Sequence, residues 1–265
     1  MYNTFQLAKK YLRYYASASN SKGHGMHSPF VFSFILNVLN NGSGFHEPAQ
    51  VERLRKILLE DDRTITINDL GAGSRTRPTD SKKICEIARS ALKSKRLALV
   101  LFRLAKFYKP ATIIELGTSL GLTTSYFSKA LPESNIITIE GSTEVAEVAK
   151  QNFFQLQCNN ISLIKGNFDE VLPGVLEGLA AVDLAYIDGN HRYGPTINYF
   201  NQFLARSTEE SILVFDDIHW SEEMERAWEE IKAHPAVQYT IDIFFLGFVF
   251  FRKEFRVKQN FTIRF

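Results

Sequence analysis

The chain has 265 residues, with 31 Lys and Arg against 29 Asp and Glu, so its formal net charge is +2. This length allows one large α/β domain, or a domain of about 150 residues with a substantial extension. With 45% hydrophobic and 23% charged residues, the composition excludes disordered and collagen-like classes. The near-neutral charge gives no electrostatic argument for a nucleic-acid partner.

The cysteine content and the lack of a long apolar segment indicate the cellular compartment of the protein. Cys85 and Cys158 are too few for a disulfide framework and too far apart for a zinc or redox pair. We expect both to be buried in a protein of the reducing cytoplasm. No apolar run approaches the roughly 20 residues needed to span a bilayer. The sequence therefore predicts a cytoplasmic protein without a membrane partner.

Residues 1–95 predict a mainly helical extension that forms either a cap over the active site or a dimer interface. Apolar side chains recur near its start at roughly helical spacing, namely Phe5, Leu7, Tyr11, Leu12 and Tyr15. Ser28 followed by Pro29 is typical of a helix start. Pro48 opens another helical pattern, and residues 81–109 predict further helix.

Residues 96–265 predict the principal domain, in which short β-branched runs alternate with helical patterns. The predicted strands are 112–116, 135–140, 161–165, 182–188 and 211–216. This alternation predicts right-handed βαβ units and a parallel sheet. Runs 237–243 and 245–252 are too close for a crossover helix, so they pair antiparallel or flank a bulge. The predicted fold is α/β, a Rossmann-like, mostly parallel seven-stranded sheet with a terminal antiparallel β-hairpin, preceded by the helical extension.

Residues suited to ligand binding follow the predicted strands, and open α/β sheets bind ligands at the carboxyl ends of their strands. Gly117 and Gly121 follow the first strand, where the backbone turns tightly ahead of a helix N-terminus. Their G-x-x-x-G spacing departs from the dinucleotide fingerprint. Glu140, 23 residues after Gly117, is placed for ribose hydroxyls, and Glu115 suits a cationic ligand group better than a phosphate. A ligand with an adenosine, a carboxylate and an amine fits this pattern.

Three of these loops resemble the motifs of class I S-adenosylmethionine-dependent methyltransferases. Residues 115–121 (ELGTSLG) resemble their first motif, 139–141 (IEG) are similar to their second, and 166–169 (GNFD) to their adenine-side motif. The resemblance covers about residues 111–251. It implies that S-adenosylmethionine is bound by Glu115, Gly117, Thr118, Ser119, Gly121, Glu140, Gly141, Asn167, Phe168 and Asp188.

The ends of the fourth and fifth strands resemble the catechol-type, cation-dependent O-methyltransferases. Those enzymes carry an Asp, a basic residue three positions later, and an Asp-Asn pair; here the matching residues are Asp188, His191, Asp216 and Asp217. The resemblance implies that the three aspartates hold Mg²⁺ or another divalent cation and that His191, with Asp188, acts as the catalytic base. His191 stands where the family usually has Lys, and Asp217 where it has Asn. Because neighbours in a strand point to opposite faces, Asp216 and Asp217 share a metal only if the strand has already ended.

The predicted function is S-adenosylmethionine-dependent methylation of a small molecule, on oxygen. Two alternatives stay open, a catalytically silent nucleoside-binding module of the same fold and an NAD(P) oxidoreductase. The chain contains no Pro-Pro dipeptide and neither cysteine follows a proline, so two motifs of nucleic-acid methylation are absent. The predicted partner is therefore a small-molecule acceptor, with no nucleic acid, and a homodimer is left open.

A second glycine loop, residues 69–74 (DLGAGS), follows a β-rich run but is not followed by a helical pattern. We interpret it as a loop of the extension that folds over the active site. Arg75 and Arg77 would then meet an acidic substrate.

Overall fold

The structure, a computed structural model, describes residues 1–23, 27–67, 80–255 and 257–265. The chain groups into two compact units, which are described separately. The first unit comprises Met1–Asn40 and Leu176–Phe265, and the second comprises Asn41–Val175. The predicted boundary between residues 95 and 96 stays a prediction. The second glycine loop, with Arg75 and Arg77, lies outside the described residues.

The helices and strands follow the predicted alternation from residue 112 onward. The helices are α1 (Thr4–Ser17), α2 (Pro29–Phe34), which continues into a π-helical turn (Ile35–Leu39), α3 (Ala49–Glu60), α4 (Ile84–Ala91), α5 (Lys95–Tyr108), α6 (Leu122–Ala130), α7 (Thr143–Gln155), α8 (Phe168–Glu177), α9 (Tyr193–Leu204) and α10 (Glu222–Ala233). The strands are β1 (Thr64–Ile67), β2 (Asp80–Lys83), β3 (Thr112–Leu116), β4 (Asn135–Glu140), β5 (Ile161–Lys165), β6 (Leu184–Ile187), β7 (Ile212–Asp216), β8 (Tyr239–Asp242), β9 (Leu246–Phe250) and β10 (Gln259–Thr262).

Among the described residues, the strand order is β10-β8-β9-β7-β6 in the first unit and β3-β4-β5 in the second. Strands β3, β4 and β5 are parallel in the second unit, and β6 and β7 are parallel in the first. Strand β9 runs antiparallel to both β7 and β8, as expected of the terminal hairpin. The predicted mostly parallel, Rossmann-like sheet is therefore confirmed.

The part of the chain that the structure describes contributes eight strands to the sheet, one more than predicted. Strand β10 pairs in parallel with β8, from Gln259 opposite Tyr239 to Thr262 opposite Asp242. Residues 259–262 (QNFT) contain a single large apolar side chain, so no β-type alternation marks them. Their pairing with the edge of the sheet, a long-range contact, makes them a strand.

The predicted helix over residues 81–109 is corrected at its start and near its middle. Residues 81–83 lie in β2, which pairs antiparallel with β1, because long-range strand pairing overrides local helix propensity. Helix follows as two segments, α4 and α5, and Ser94 caps the second by accepting a hydrogen bond from the backbone N–H of Leu97. Ser28 caps α2 in the same way, with Pro29 in the first turn, as predicted.

A buried polar contact ties α3 to α6 in the second unit. Tyr126 is completely buried, and its hydroxyl donates a hydrogen bond to the Glu52 carboxylate. Arg55 donates from Nε to the same carboxylate at 2.9 Å. Burial and the neighbouring Glu52 carboxylate raise the pKa of Tyr126, so this hydroxyl stays a donor. The contact fixes the N-terminal helix α3 on the helix that follows the first glycine loop.

In the first unit, α1 packs against the turn between β8 and β9. The ring centroids of Tyr11 and Tyr14 lie 5.0 Å and 5.2 Å from that of Phe244. The hydroxyl of Tyr14 donates to the carbonyl of Ile263. These contacts cover one side of α1.

Among the described residues no helix is long and apolar enough to cross a bilayer, and both cysteines are free and buried.

Replacement of Gly247 by Ala is expected to destabilise the protein by about 1–3 kcal/mol, as overpacking does. A Cβ atom at Gly247 would stand 2.7 Å from the Trp228 ring. Trp228 is buried and β9 is paired on both edges, so neither can move away cheaply. Urea unfolding measures the change. The control is Gly174→Ala in α8, where a Cβ meets nothing within 4 Å and the change should stabilise by up to about 1 kcal/mol. Equal effects of the two substitutions would contradict the expected clash with Trp228.

Candidate active site

The first glycine loop makes a tight turn between β3 and α6. Gly117 has a φ of +96° and Gly121 a φ of +77°, values that favour glycine. The N–H of Gly117 donates to the carbonyl of Ile139 at 3.0 Å, which holds the loop against the end of β4. A Cβ at Gly121 would stand 2.5 Å from the Phe153 ring. The loop therefore has no room for a side chain at Gly121.

Glu115 lies inside β3 and is completely buried. Its Oε2 accepts hydrogen bonds from the hydroxyls of Thr124 and Thr138, the latter at 2.6 Å. Thr118 and Thr138 share a further hydrogen bond of 2.6 Å between their hydroxyls. The carboxylate is thus bound from α6 and β4, and it places a buried acidic group directly before the loop.

Glu140, the last residue of β4, joins two loops through its carboxylate. Its Oε2 accepts a hydrogen bond from the backbone N–H of Ser119 at 2.7 Å. Its Oε1 accepts from the N–H of Ser142 at 3.0 Å, across Gly141. Ser119 has a φ of +49°, a left-handed conformation that the hydrogen bond to Glu140 helps to hold. The predicted residues of the first and second motifs are therefore brought together.

The third motif joins them at the end of β5. The N–H of Gly166 donates to the carbonyl of Glu140 at 2.9 Å. The side chain of Asn167 accepts a hydrogen bond from the N–H of Asp169 at 2.9 Å, at the start of α8, and Phe168 is the first residue of that helix. All predicted cofactor residues except Asp188 thus belong to the second unit.

Asp188, His191 and Asp216 form a cluster in the first unit. One ligand atom from each lies within 4.8 Å of the other two. His191 Nε2 is 3.6 Å from Asp188 Oδ1, and Asp216, the last residue of β7, is only 1% exposed. Two carboxylates and an imidazole at these distances are a donor set suited to a divalent cation.

Asp188 and the loop that it begins are held by hydrogen bonds from β6 and to α9. The hydroxyl of Tyr186 donates to Asp188 Oδ2 at 2.9 Å. Asn190 has a φ of +57°, and its side-chain amide donates to the hydroxyl of Tyr199 on α9 at 3.0 Å. Asn190 Oδ1 is buried without a hydrogen-bond partner among the described residues. The loop thus contains a buried oxygen acceptor two residues after Asp188 in the chain.

Asp217 is not one of the three clustered groups. It has a φ of +52°, and its N–H donates to the carbonyl of Phe245 at 2.8 Å. The regular strand therefore ends at Asp216, as sharing of a metal by these neighbours requires. The predicted trio of Asp188, Asp216 and Asp217 stays a prediction, and the geometry adds His191 as a candidate ligand.

His219 links the loop after β7 to two acidic residues that sequence spacing did not reveal. Its Nε2 lies 2.8 Å from Asp242 Oδ2 and its Nδ1 lies 3.1 Å from Glu225 Oε1. Glu225 in turn binds Lys10 at 2.9 Å and the hydroxyl of Tyr2 at 2.8 Å. His219 is therefore a half-buried bridge that ties the loop to α10 and β8 and, through Glu225, to α1. Asp242 lies 23 residues away, so no local pattern could have identified it.

Comparison with known proteins identifies the family that this architecture resembles. Residues 114–218 match a protein family described as "Methyltransferase domain". The sequence is 28% identical over 138 residues to the catechol O-methyltransferase of Niastella koreensis, covering 51% of this chain and 60% of that protein. It is 30% identical over 131 residues to "Uncharacterized protein R132" of Acanthamoeba polyphaga mimivirus, covering 46% and 59%.

A solved structure shows the same fold. The crystal structure of the O-methyltransferase TomG from Streptomyces achromogenes, in complex with S-adenosylmethionine, superposes with a TM-score of 0.58 at 18% identity, covering 82% of this chain and 96% of that chain. The chain thus has the fold of class I methyltransferases, and its resemblance to the catechol-type O-methyltransferases is confirmed. It spans about three fifths of the length of the two curated relatives, 59% and 60%.

Stability is expected to fall as the pH rises above the ordinary titration range of histidine. Burial alone would lower the pKa of His219, but the hydrogen bonds and charges of Asp242 and Glu225 outweigh it, so the pKa is raised. A raised pKa contributes stability that is present below the unfolded value of 6.5 and is lost as pH rises through the folded value. The melting temperature of the wild type should therefore exceed that of His219→Gln more at about pH 6 than at about pH 9.

The control for this prediction is His27→Gln, which removes an exposed histidine of the same unit. The melting temperature of His27→Gln should differ little from that of the wild type at either pH. A melting difference for His219→Gln that does not change with pH would contradict the prediction.

Proposed function

We propose that the protein is an S-adenosylmethionine-dependent O-methyltransferase that acts on a small molecule. The observation that carries the proposal is the hydrogen bond from the Ser119 N–H to Glu140, which joins the glycine loop to the acid of the next strand inside the segment that matches the family. The match favours methyl transfer over the NAD(P) oxidoreductase alternative.

The residues of the second unit fit S-adenosylmethionine. Gly121 leaves no side chain at the turn, so the backbone can approach a ligand closely. Glu140 places a carboxylate, whose two oxygens act only as acceptors when ionised, at the end of β4 beside the glycine loop, which suits ribose hydroxyls. The buried Glu115 carboxylate favours a cationic ligand by its charge. When bound, S-adenosylmethionine supplies an electrophilic methyl group.

The cluster of the first unit fits the acceptor half of the reaction. His191 can accept the proton of a substrate hydroxyl, and Asp188, 3.6 Å from its Nε2, stabilises the imidazolium that forms. Asp188 and Asp216 also fit a divalent cation, with His191 or Asp217 as a further ligand. When bound, such a cation lowers the pKa of a coordinated hydroxyl. One His191 nitrogen cannot hold both a metal and the substrate proton, so the two roles of Nε2 are alternatives.

The acceptor is a small molecule and not a nucleic acid. A vicinal diol would offer two oxygens to a cation held by Asp188 and Asp216. The retained acids Glu115, Glu140 and Asp188 favour turnover over a silent nucleoside-binding module. The protein works in the cytoplasm, supported by its two free cysteines. A homodimer stays a prediction.

Calorimetric titration with S-adenosylhomocysteine tests the cofactor assignment. We expect micromolar binding by the wild type and a loss of about tenfold or more in Gly121→Ala, because one log unit of affinity is only about 1.4 kcal/mol and the new Cβ would collide with Phe153. Gly44→Ala is the matched control: Gly44 also has a positive φ, +65°, but a Cβ there meets nothing within 4 Å. Absence of binding by the wild type would overturn the proposal.

Methyl transfer to 3,4-dihydroxybenzoate, a vicinal diol probe, tests the role of His191 with and without Mg²⁺. His191→Ala is expected to lower kcat by about 10²–10⁴-fold, the usual contribution of a general base, while S-adenosylhomocysteine still binds. His46→Ala, an exposed histidine of the second unit, should retain wild-type kcat. Full turnover by His191→Ala would remove its assignment as the base. No turnover by the wild type, despite cofactor binding, would exclude this diol class.

A further inference from the structure

Helix α1 has a second apolar face that the first unit leaves exposed. Along this face, Phe5, Leu12 and Tyr15 are 79%, 69% and 49% exposed, and Met1, just before the helix, is 86% exposed. Ala8 is exposed between them. Spacings of three and four residues place side chains on one face of a helix. We call Met1, Phe5, Ala8, Leu12 and Tyr15 the exposed stripe.

Positive charge borders the exposed stripe. Lys9 and Arg13, both exposed, lie four residues apart along one side of it. Arg264 lies at its end, with its guanidinium 5.0 Å from the Tyr15 ring centroid. The first 46 residues contain four basic and no acidic side chains, and the first acid is Glu47. The stripe is therefore apolar, with a cationic border and no acid on its own helix.

We propose that α1 lies on the surface of an anionic phospholipid membrane. A helix with aromatic and aliphatic side chains on one face and Lys or Arg beside them binds at the boundary between headgroups and acyl chains. Phe5 and Leu12 enter that boundary, and Lys9 and Arg13 meet headgroup phosphates. The opposite side of α1, packed on Phe244, keeps the helix attached to the protein. Such a helix lies on the membrane and does not need to cross it.

Charge and size argue against a second copy of the chain on this stripe. Pairing α1 with another α1 would bring Lys9 and Arg13 near the same cations, and the first 46 residues offer no acid to pair with them. One face of a 14-residue helix is also small beside the roughly 800 Å² per partner of a standard interface. The proposal departs from the sequence-based expectation of no membrane partner, because that expectation considered only a spanning segment.

Sedimentation of the full chain with vesicles tests the proposal, independently of any methyltransferase activity. The wild type should bind vesicles of phosphatidylcholine with phosphatidylserine and should not bind vesicles of phosphatidylcholine alone. The double variants Phe5→Ser with Leu12→Ser, and Lys9→Gln with Arg13→Gln, should each bind the anionic vesicles about tenfold more weakly or worse. All four positions are exposed, so these changes spare the buried face of α1.

Phe154→Ser is the matched control, since Phe154 is 88% exposed in the second unit and should not affect vesicle binding. Failure of the wild type to bind anionic vesicles overturns the proposal, as does binding that survives the Phe5 and Leu12 substitutions. Light scattering supplies a further check: a wild-type dimer that becomes a monomer in the Phe5 and Leu12 variant would assign the stripe to a second copy and overturn it.

Discussion

The Glu140 carboxylate accepts hydrogen bonds from the N–H groups of Ser119 and Ser142, and the geometry of the second-unit site depends on it. Without this acceptor, two backbone donors at strand ends would need other partners, and Ser119 would lose a contact that supports its left-handed conformation. The Gly166 N–H binds the carbonyl of the same residue. One residue thus sets the positions of three loops, so a ligand meets a prearranged surface and spends little binding energy on ordering it.

In the first unit, a chain of side chains has a comparable role. His219 bridges Asp242 and Glu225, and Glu225 binds Lys10 of α1. The loop that follows Asp216 is therefore linked to the N-terminal helix through charged and hydrogen-bonded groups in a partly buried setting, where such contacts are stronger than at a fully exposed surface. Through Lys10, α1 therefore helps to hold the loop that follows Asp216 in the candidate site.

The strand ends were predictable from sequence because they depend on local pattern: β-branched runs followed by Gly117, Glu140 or Asp188. The structural features that the sequence did not predict depend on long-range contacts. Residues 259–262 become a strand only by pairing with β8, and residues 81–83 only by pairing with β1. Spacing placed Asp216 and Asp217 together but could not decide which side chain joins the cluster. Likewise, the helical spacing of apolar residues in α1 does not distinguish Phe5 from Tyr11. In the structure, Tyr11 contacts Phe244, whereas Phe5 is exposed.

The cluster of Asp188, His191 and Asp216 imposes an electrostatic condition on the chemistry. Two carboxylates whose oxygens lie within 4.8 Å repel each other, most strongly where Asp216 is removed from water. Either a cation between them or a proton on His191 reduces that repulsion. In the proposed methyl transfer to oxygen, a bound cation would favour the deprotonated hydroxyl, and an imidazolium is what His191 would become after taking the proton. The repulsion between the two carboxylates would therefore favour the charge change that the proposed reaction requires.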